Sequence, residues 1–296
     1  MRSATFLVVL LSTFGLAGAA RADEPKRESL ADKVKAKGKM SACTQNTVPP
    51  MSYMDEKNQV IGFDLDFARA LAEKLGARLG KKIDVEFVMC DEKTRITFLQ
   101  AGRVDLTVSS MSHTQSRDEA VDFIDPPYMF AGKSFFARKG RFKEIKDLVG
   151  KKIAVQSGSS AIAPATALLK SLGDSEPKVM GFNTNGEAWL ALKQGKADAF
   201  TQDNVIMVAL MGADVKDFEQ VGPAYSVGLF SIGVPQDDSR WRDVLSLAQQ
   251  DMMLDGTYEK IYSSWFGPKG KFPMATNMRP HLPADTYGEG KWFTYP

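Results

Sequence analysis

The chain is poor in cysteine and histidine, with two of each in 296 residues. Cys43, Cys90, His113 and His281 lie far apart. They form no metal-ligand cluster of the usual spacing, and no cofactor is expected. Long apolar runs are also missing. Phe6 to Leu11 is too short to cross a bilayer as a stable helix, and nothing later approaches the required length. A basic surplus is missing once the first 22 residues are set aside. That removal deletes Arg2 and Arg21 and no acids, so Lys+Arg falls from 38 to 36 against 36 Asp+Glu. Nucleic acid and anionic membrane usually call for positive charge, so neither is expected as the main partner.

The first segment reads as an export signal. Arg2 supplies the positive end, the Phe6–Leu11 run the apolar part, and Ala20-Arg21-Ala22 a small-residue cleavage site. No cysteine stands directly after that site, so a lipid anchor is not expected. The mature chain should begin near Asp23 and be soluble and periplasmic. About 270 residues remain, too many for one typical core, which points to two domains. The compartment is oxidising. Cys43 and Cys90 each close an expected strand, Met40–Thr44 and Ile83–Cys90. As parallel neighbours those ends would lie about 4.8 Å apart, within disulfide reach. A Cys43–Cys90 bridge is favoured over two free buried thiols.

The first half alternates strand and helix. A helix opening at Gly62-Phe63-Asp64 carries Leu65, Ala68, Leu71, Ala72 and Leu75 at helical spacing, and a second runs from Thr94 to Gln100. This order predicts a parallel sheet with ligand chemistry at the carboxyl ends of its strands. Thr44–Tyr53, Cys90–Arg95 and Ser109–Arg117 all fall at such ends. The last is the most suggestive: a strand, Val104 to Ser109, breaks into small hydroxyl residues and then Arg117 at the head of a polar helix. Unpaired N–H groups at a helix start attract anions. A guanidinium adds two charge-assisted bonds to a carboxylate. The alternative is an ordinary serine-rich turn with a solvated arginine.

A similar unit follows. Lys133–Ala137 reads as a crossing strand, and Ile153-Ala154-Val155 runs into Gln156-Ser157-Gly158-Ser159-Ser160 and a hydroxyl-capped helix. Leu192–Phe200 repeats the helix, Gly, basic residue, Asp and strand arrangement of Leu99–Leu106, and ends near Asp203. Tyr225–Val234 is expected as a strand and Trp241–Met253 as an amphipathic helix. The tail from Pro268 reads as an extended strap over the first lobe. Trp189 and Phe200 are assigned to the second core.

These pieces together resemble the periplasmic amino-acid-binding proteins of ABC importers (solute-binding protein family 3). The matching stretches include Val60–Asp64, Leu99–Asp105, Ser116-Arg117-Asp118, Pro127-Tyr128, Gln156–Ser159, Gly195–Asp203 and Gly256-Thr257-Tyr258 with Trp265-Phe266-Gly267. The spacing from Arg95 to Ser110 and the length are most similar to the glutamate/aspartate-binding type. The resemblance implies an α/β fold of two lobes (the type II periplasmic-binding-protein fold), each a mainly parallel sheet flanked by helices, joined by two crossing strands. Lobe 1 would hold residues 23–132 and 232–296, and lobe 2 residues 133–231. It also implies a monomer that closes on one polar or acidic L-amino acid and delivers it to a membrane permease, without enzymatic chemistry.

By position, Arg117 would hold the α-carboxylate with Ser112 and Ser159. Asp203 and Ser110 would hold the α-ammonium, and Arg95, Gln156, Asn185 and Tyr53 would complete the site. The chain departs from that type in three places. Thr44, Gln45 and Asn46 stand where a second arginine is expected, Asn185 where a histidine is, and Glu92 where a small hydroxyl residue is. Amide ligands therefore compete with acidic ones. Arg95 could instead form a surface ion pair with Glu92 or Asp91, and Tyr53 could be core. An alternative function on the same fold is a periplasmic cyclohexadienyl or arogenate dehydratase with Glu92 as general acid. No histidine–carboxylate or nucleophile–base pair near the rim supports it.

Overall fold

Helix Phe63–Leu79 shows how the pattern becomes structure. Phe63, Phe67, Leu71 and Leu75 recur every fourth residue and are fully buried, and the helix closes at Gly80. The stripe packs on helices Ser239–Leu254 and Thr257–Phe266. Arg78 and Lys74 pair with Asp251 and Asp255 at the rim of that packing. Beneath lie Tyr128, Phe230, Trp241, Tyr258 and Phe266, one continuous core.

The computed structural model describes residues 28–274 and 278–280. The expected export signal, His281 and most of the C-terminal tail lie outside the described residues. Two five-stranded sheets are present. In the first, the order is Asp84–Met89, Lys39–Thr44, Leu106–Thr107, Gly233–Val234, Asp122–Phe123. In the second it is Lys178–Phe182, Lys152–Gln156, Ala199–Asp203, Met129–Arg138, Phe218–Phe230. Each sheet has three parallel strands at one side and antiparallel strands at the other. The two lobes are built alike, as the repeated motif around Asp105 and Asp198 suggests.

The second sheet has apolar layers on both faces. Phe136, Trp189, Phe200 and Phe218 form one, and Phe135, Leu148, Ile153 and Leu169 the other. The two chain crossings are the long strands Met129–Arg138 and Phe218–Phe230, paired antiparallel from Phe230 opposite Met129 to Phe218 opposite Arg138. A bulge between Val221 and Ser226 absorbs Gly222 and Pro223, so the strand starts seven residues before the expected Tyr225 and ends at Phe230. Proline is tolerated there because a bulge needs no ladder donor.

Two expected helix starts are corrected. The helix bearing Arg117 is only Gln115–Asp118, too short to offer an anion-binding terminus. The helix after Gln156 begins at Ile162, and its N-cap Ala161 makes no side-chain cap. Of the expected strap, Phe272 stacks on Trp265 at 6.3 Å, and the Met278 carbonyl accepts from the Phe130 amide on the crossing strand.

Strands Lys39–Thr44 and Asp84–Met89 are parallel neighbours, and Cys43 is bonded to Cys90 with their Cα atoms 5.8 Å apart. The bridge closes a 47-residue separation. Chain-entropy reasoning gives a loop of that size about 4 kcal/mol of stabilisation. Adding a reductant should therefore lower the urea midpoint markedly, and Cys43→Ser/Cys90→Ser should show the same low midpoint with or without reductant. A midpoint that ignores reductant in the wild type would show that the bridge does not restrict the unfolded chain.

Candidate functional site

The break after Thr107 is shaped by a buried carboxylate. Ser110 has left-handed backbone, φ 50°, costly for a residue with a side chain. Three hydrogen bonds hold it there. Its amide donates to the Tyr128 hydroxyl at 3.1 Å, its hydroxyl donates to Asp64 Oδ2 at 3.1 Å, and the Tyr128 hydroxyl donates to Asp64 Oδ1 at 3.0 Å. Asp64 is fully buried, and burial pushes its carboxyl up to about 7 against the opposing hydrogen bonds. This turn presents the Ser109 carbonyl, which accepts from Arg95 Nη1 at 2.7 Å and from Gln45 Nε2 at 3.1 Å.

Arg95 is therefore not the surface residue of the alternative reading. It is 2% exposed, and its Nε has no hydrogen-bond partner among the described residues. Arg117 donates to the Ser112 carbonyl at 2.7 Å and reaches the Gly158 carbonyl on the second lobe at 3.4 Å. Burial lowers its guanidinium to about 10, with the Arg95 charge adding to the effect, so it stays cationic at neutral pH. Between them lies Glu92, whose Oε2 is buried and unpartnered. Burial raises Glu92 to about 7, opposed by the positive charges of Arg95 and Arg117.

The lobes meet around this group. A Cβ at Gly158, where φ is 82°, would lie 3.3 Å from the Glu92 backbone, so the close approach suits only glycine. Ser160 Oγ donates to Ser112 Oγ across the cleft at 3.0 Å. Ser159, expected beside Arg117 at the α-carboxylate, accepts from the Ala161 amide of its own loop. Asp203 is buried, but its carboxylate is held by Lys133, with Nζ 3.0 Å from both oxygens. Asn185 is also buried and accepts from Gln202 Nε2, leaving its own Nδ2 unpartnered. Gln156 is buried with Oε1 unpartnered.

Tyr53 is not brought into this group. Its ring is edge-on to Trp265 and Phe272 at 6.4 and 6.1 Å, with Lys271 Nζ 5.2 Å from its centroid. Lys133, Asp64 and Ser160 were absent from the expected set, and Glu92 entered it only as a departure from the resembled type and as the general acid of the alternative function. Lys133 left one signal, a cation flanked on both sides by apolar or small residues of its strand. Among the described residues, no group of three His, Cys, Asp or Glu could hold a metal. His113 pairs with Asp118 at 2.8 Å and stacks on Phe123.

Asp64 gives the pH dependence a sign. Its folded value lies above its unfolded one, so its contribution to stability is full below about pH 4 and is lost as pH rises through 7. Glu92 acts in the same direction. Urea midpoints measured from pH 5 to 8.5 should fall for the wild type and fall less for Asp64→Asn. Equal slopes would show that Asp64 titrates normally.

A family model for bacterial extracellular solute-binding proteins, family 3, matches residues 40–268. The ABC transporter glutamine-binding protein of Bacillus subtilis (strain 168) is 30% identical over 271 residues, which is 88% of this chain and 93% of that one. The glutamate/aspartate import solute-binding protein of Escherichia coli (strain K12) is 24% identical over 258 residues, 84% of each chain. Among solved structures, an ancestral arginine-binding protein bound to arginine matches with a TM-score of 0.70 at 35% identity. The match covers 78% of this chain and 99% of that one. The chain thus belongs to family 3 of the bacterial extracellular solute-binding proteins and acts outside the cytoplasm to bind a solute.

Proposed function

We propose that the solute is a polar or acidic L-amino acid, with acidic side chains preferred, and that Arg117 and Arg95 grip its two ends. The carrying observation is the charge balance of the cleft. Three cations, the buried Arg95 and Lys133 and the half-buried Arg117, face two carboxylates, Glu92 and Asp203. Glu92, raised to about 7, is partly protonated at neutral pH, which adds to the positive surplus. A cation-bearing side chain entering this group would be repelled. A carboxylate or amide would find donors whose bonding capacity is unfilled.

In this reading Arg117 takes the α-carboxylate, assisted by Ser112 and by Ser160 in place of Ser159. Arg95 takes the side-chain end, with Glu92 donating when protonated. Gln156 and Asn185 supply polar contacts from the second lobe. Ser110 shapes its loop through Asp64 and Tyr128, and the α-amino group would turn toward Asp203, whose carboxylate it would share with Lys133. We also place signal cleavage near Ala22. The division is lobe 1 as residues 23–132 and 232–296 and lobe 2 as residues 133–231, with the paired strands around Met129–Phe230 as the connection.

Calorimetry of the mature, ligand-stripped protein tests this against glutamate, aspartate, glutamine, asparagine and arginine. An acidic or amide amino acid should bind and arginine should not. Two charge-assisted bonds to a carboxylate contribute about 3 kcal/mol or more, so Arg117→Ala should weaken binding at least ~100-fold while the thermal transition persists. Arginine as the tightest ligand would overturn the charge argument, and near-native affinity in Arg117→Ala would remove that residue from the site.

A further inference from the structure

Lys133 and Asp203 stand directly opposite one another on antiparallel strands Met129–Arg138 and Ala199–Asp203. Their side chains are 3% and 5% exposed. Lys133 Nζ lies 3.0 Å from each Asp203 oxygen and 3.4 Å from Ser112 Oγ, so the three donors of the ammonium all have partners. Asp203 sits at the N-cap of helix Asn204–Met211, yet its side chain makes no cap bond. An aspartate there ordinarily accepts from its own helix; here both oxygens turn to Lys133. The crossing strand closes over the pair. A Cβ at Gly228 would fall 2.4 Å from Asp203 Oδ1 and 3.4 Å from Lys133 Nζ.

We propose that Lys133 is a specificity-determining residue that takes the place on Asp203 which a solute's α-ammonium would otherwise take. The cleft then accepts 2-oxo and 2-hydroxy carboxylates as well as the amino acids of the same skeleton. The inference rests on the reading of Arg117 and Arg95 as carboxylate grips.

The physical argument is one of compensation. An isolated Asp203 carboxylate in a closed cleft would need a cation from the solute, and a solute without an ammonium would leave it buried and unpaired. With Lys133 in place, Asp203 is neutralised by the protein itself. An entering ammonium gains little there and approaches a second cation. Displacing Lys133 would leave a third cation beside Arg95 and Arg117, which already share the negative charge of Glu92 and Asp203. A carbonyl or hydroxyl at C2 can instead accept from the Ser112 hydroxyl, which accepts from Lys133 and Ser160 and keeps its own hydrogen to donate, without adding positive charge.

The test compares acids that share a skeleton and differ at C2: glutamate against 2-oxoglutarate, and aspartate against malate, titrated into the mature, ligand-stripped protein. For at least one pair, the dissociation constants should lie within ~10-fold of one another in the wild type. Lys133→Met frees Asp203, so the ratio should move ~100-fold toward the amino acid. The ratio reports on C2 recognition, which a merely structural lysine would leave unchanged even if both affinities fell. Glutamate or aspartate bound more than ~1000-fold tighter than its partner acid in the wild type would overturn the inference. An unchanged ratio in a folded Lys133→Met protein would do the same. If that variant does not fold, the wild-type ratio decides. Binding of glutamine with silence from all four acids would overturn the inference and leave the amino-acid reading standing. Silence from every solute would remove the carboxylate grips on which both depend.

Discussion

A buried charge has to be compensated where it stands, and the geometry of this cleft follows from that constraint. Arg95, Arg117, Lys133, Glu92 and Asp203 all act on one another through a poorly hydrated space. None could be placed there alone. Arg117 comes from the first lobe but touches a carbonyl of the second, and Lys133 comes from a crossing strand but touches Ser112 of the first. The site therefore exists only when the lobes are together. That couples solute capture to shape: any group that improves the charge balance also favours the closed arrangement.

The same constraint acts one layer behind the cleft. Asp64 has no cation bonded to it and is held by two hydroxyls instead. It keeps Ser110 in a backbone conformation that serine rarely adopts and so directs the Ser109 carbonyl at Arg95. Phe63, the next residue back, stacks on Tyr128 at 6.2 Å and joins the helix to the same core. Packing of helix Phe63–Leu79 thus reaches the cleft through a single turn.

Much of this could be read from the residues alone. Strand ends carrying Cys43, Ser110 and Arg117, the two alike lobes and the pairing of Cys43 with Cys90 follow from period, punctuation and repetition. The contacts that the residues alone did not reveal share a cause. Which of Ser159 and Ser160 crosses the cleft depends on one residue of loop phase. Lys133 meets Asp203 only through the register of strands 70 residues apart. Tyr53 is drawn into a cluster with Trp265 and Phe272, and neither lies near it in the chain. Local pattern reveals which elements form; it does not reveal which face of one element meets which residue of another.

The bridge between Cys43 and Cys90 has a further consequence. Thr44 and Gln45 leave the strand directly after one cysteine, and Glu92 and Arg95 follow closely after the other. Two walls of the cleft are therefore one covalent piece. The bridge adds a covalent tie to the parallel ladder that already sets these strands in register. A chain kept in a reducing compartment would carry the same residues with the ladder alone to hold them against each other.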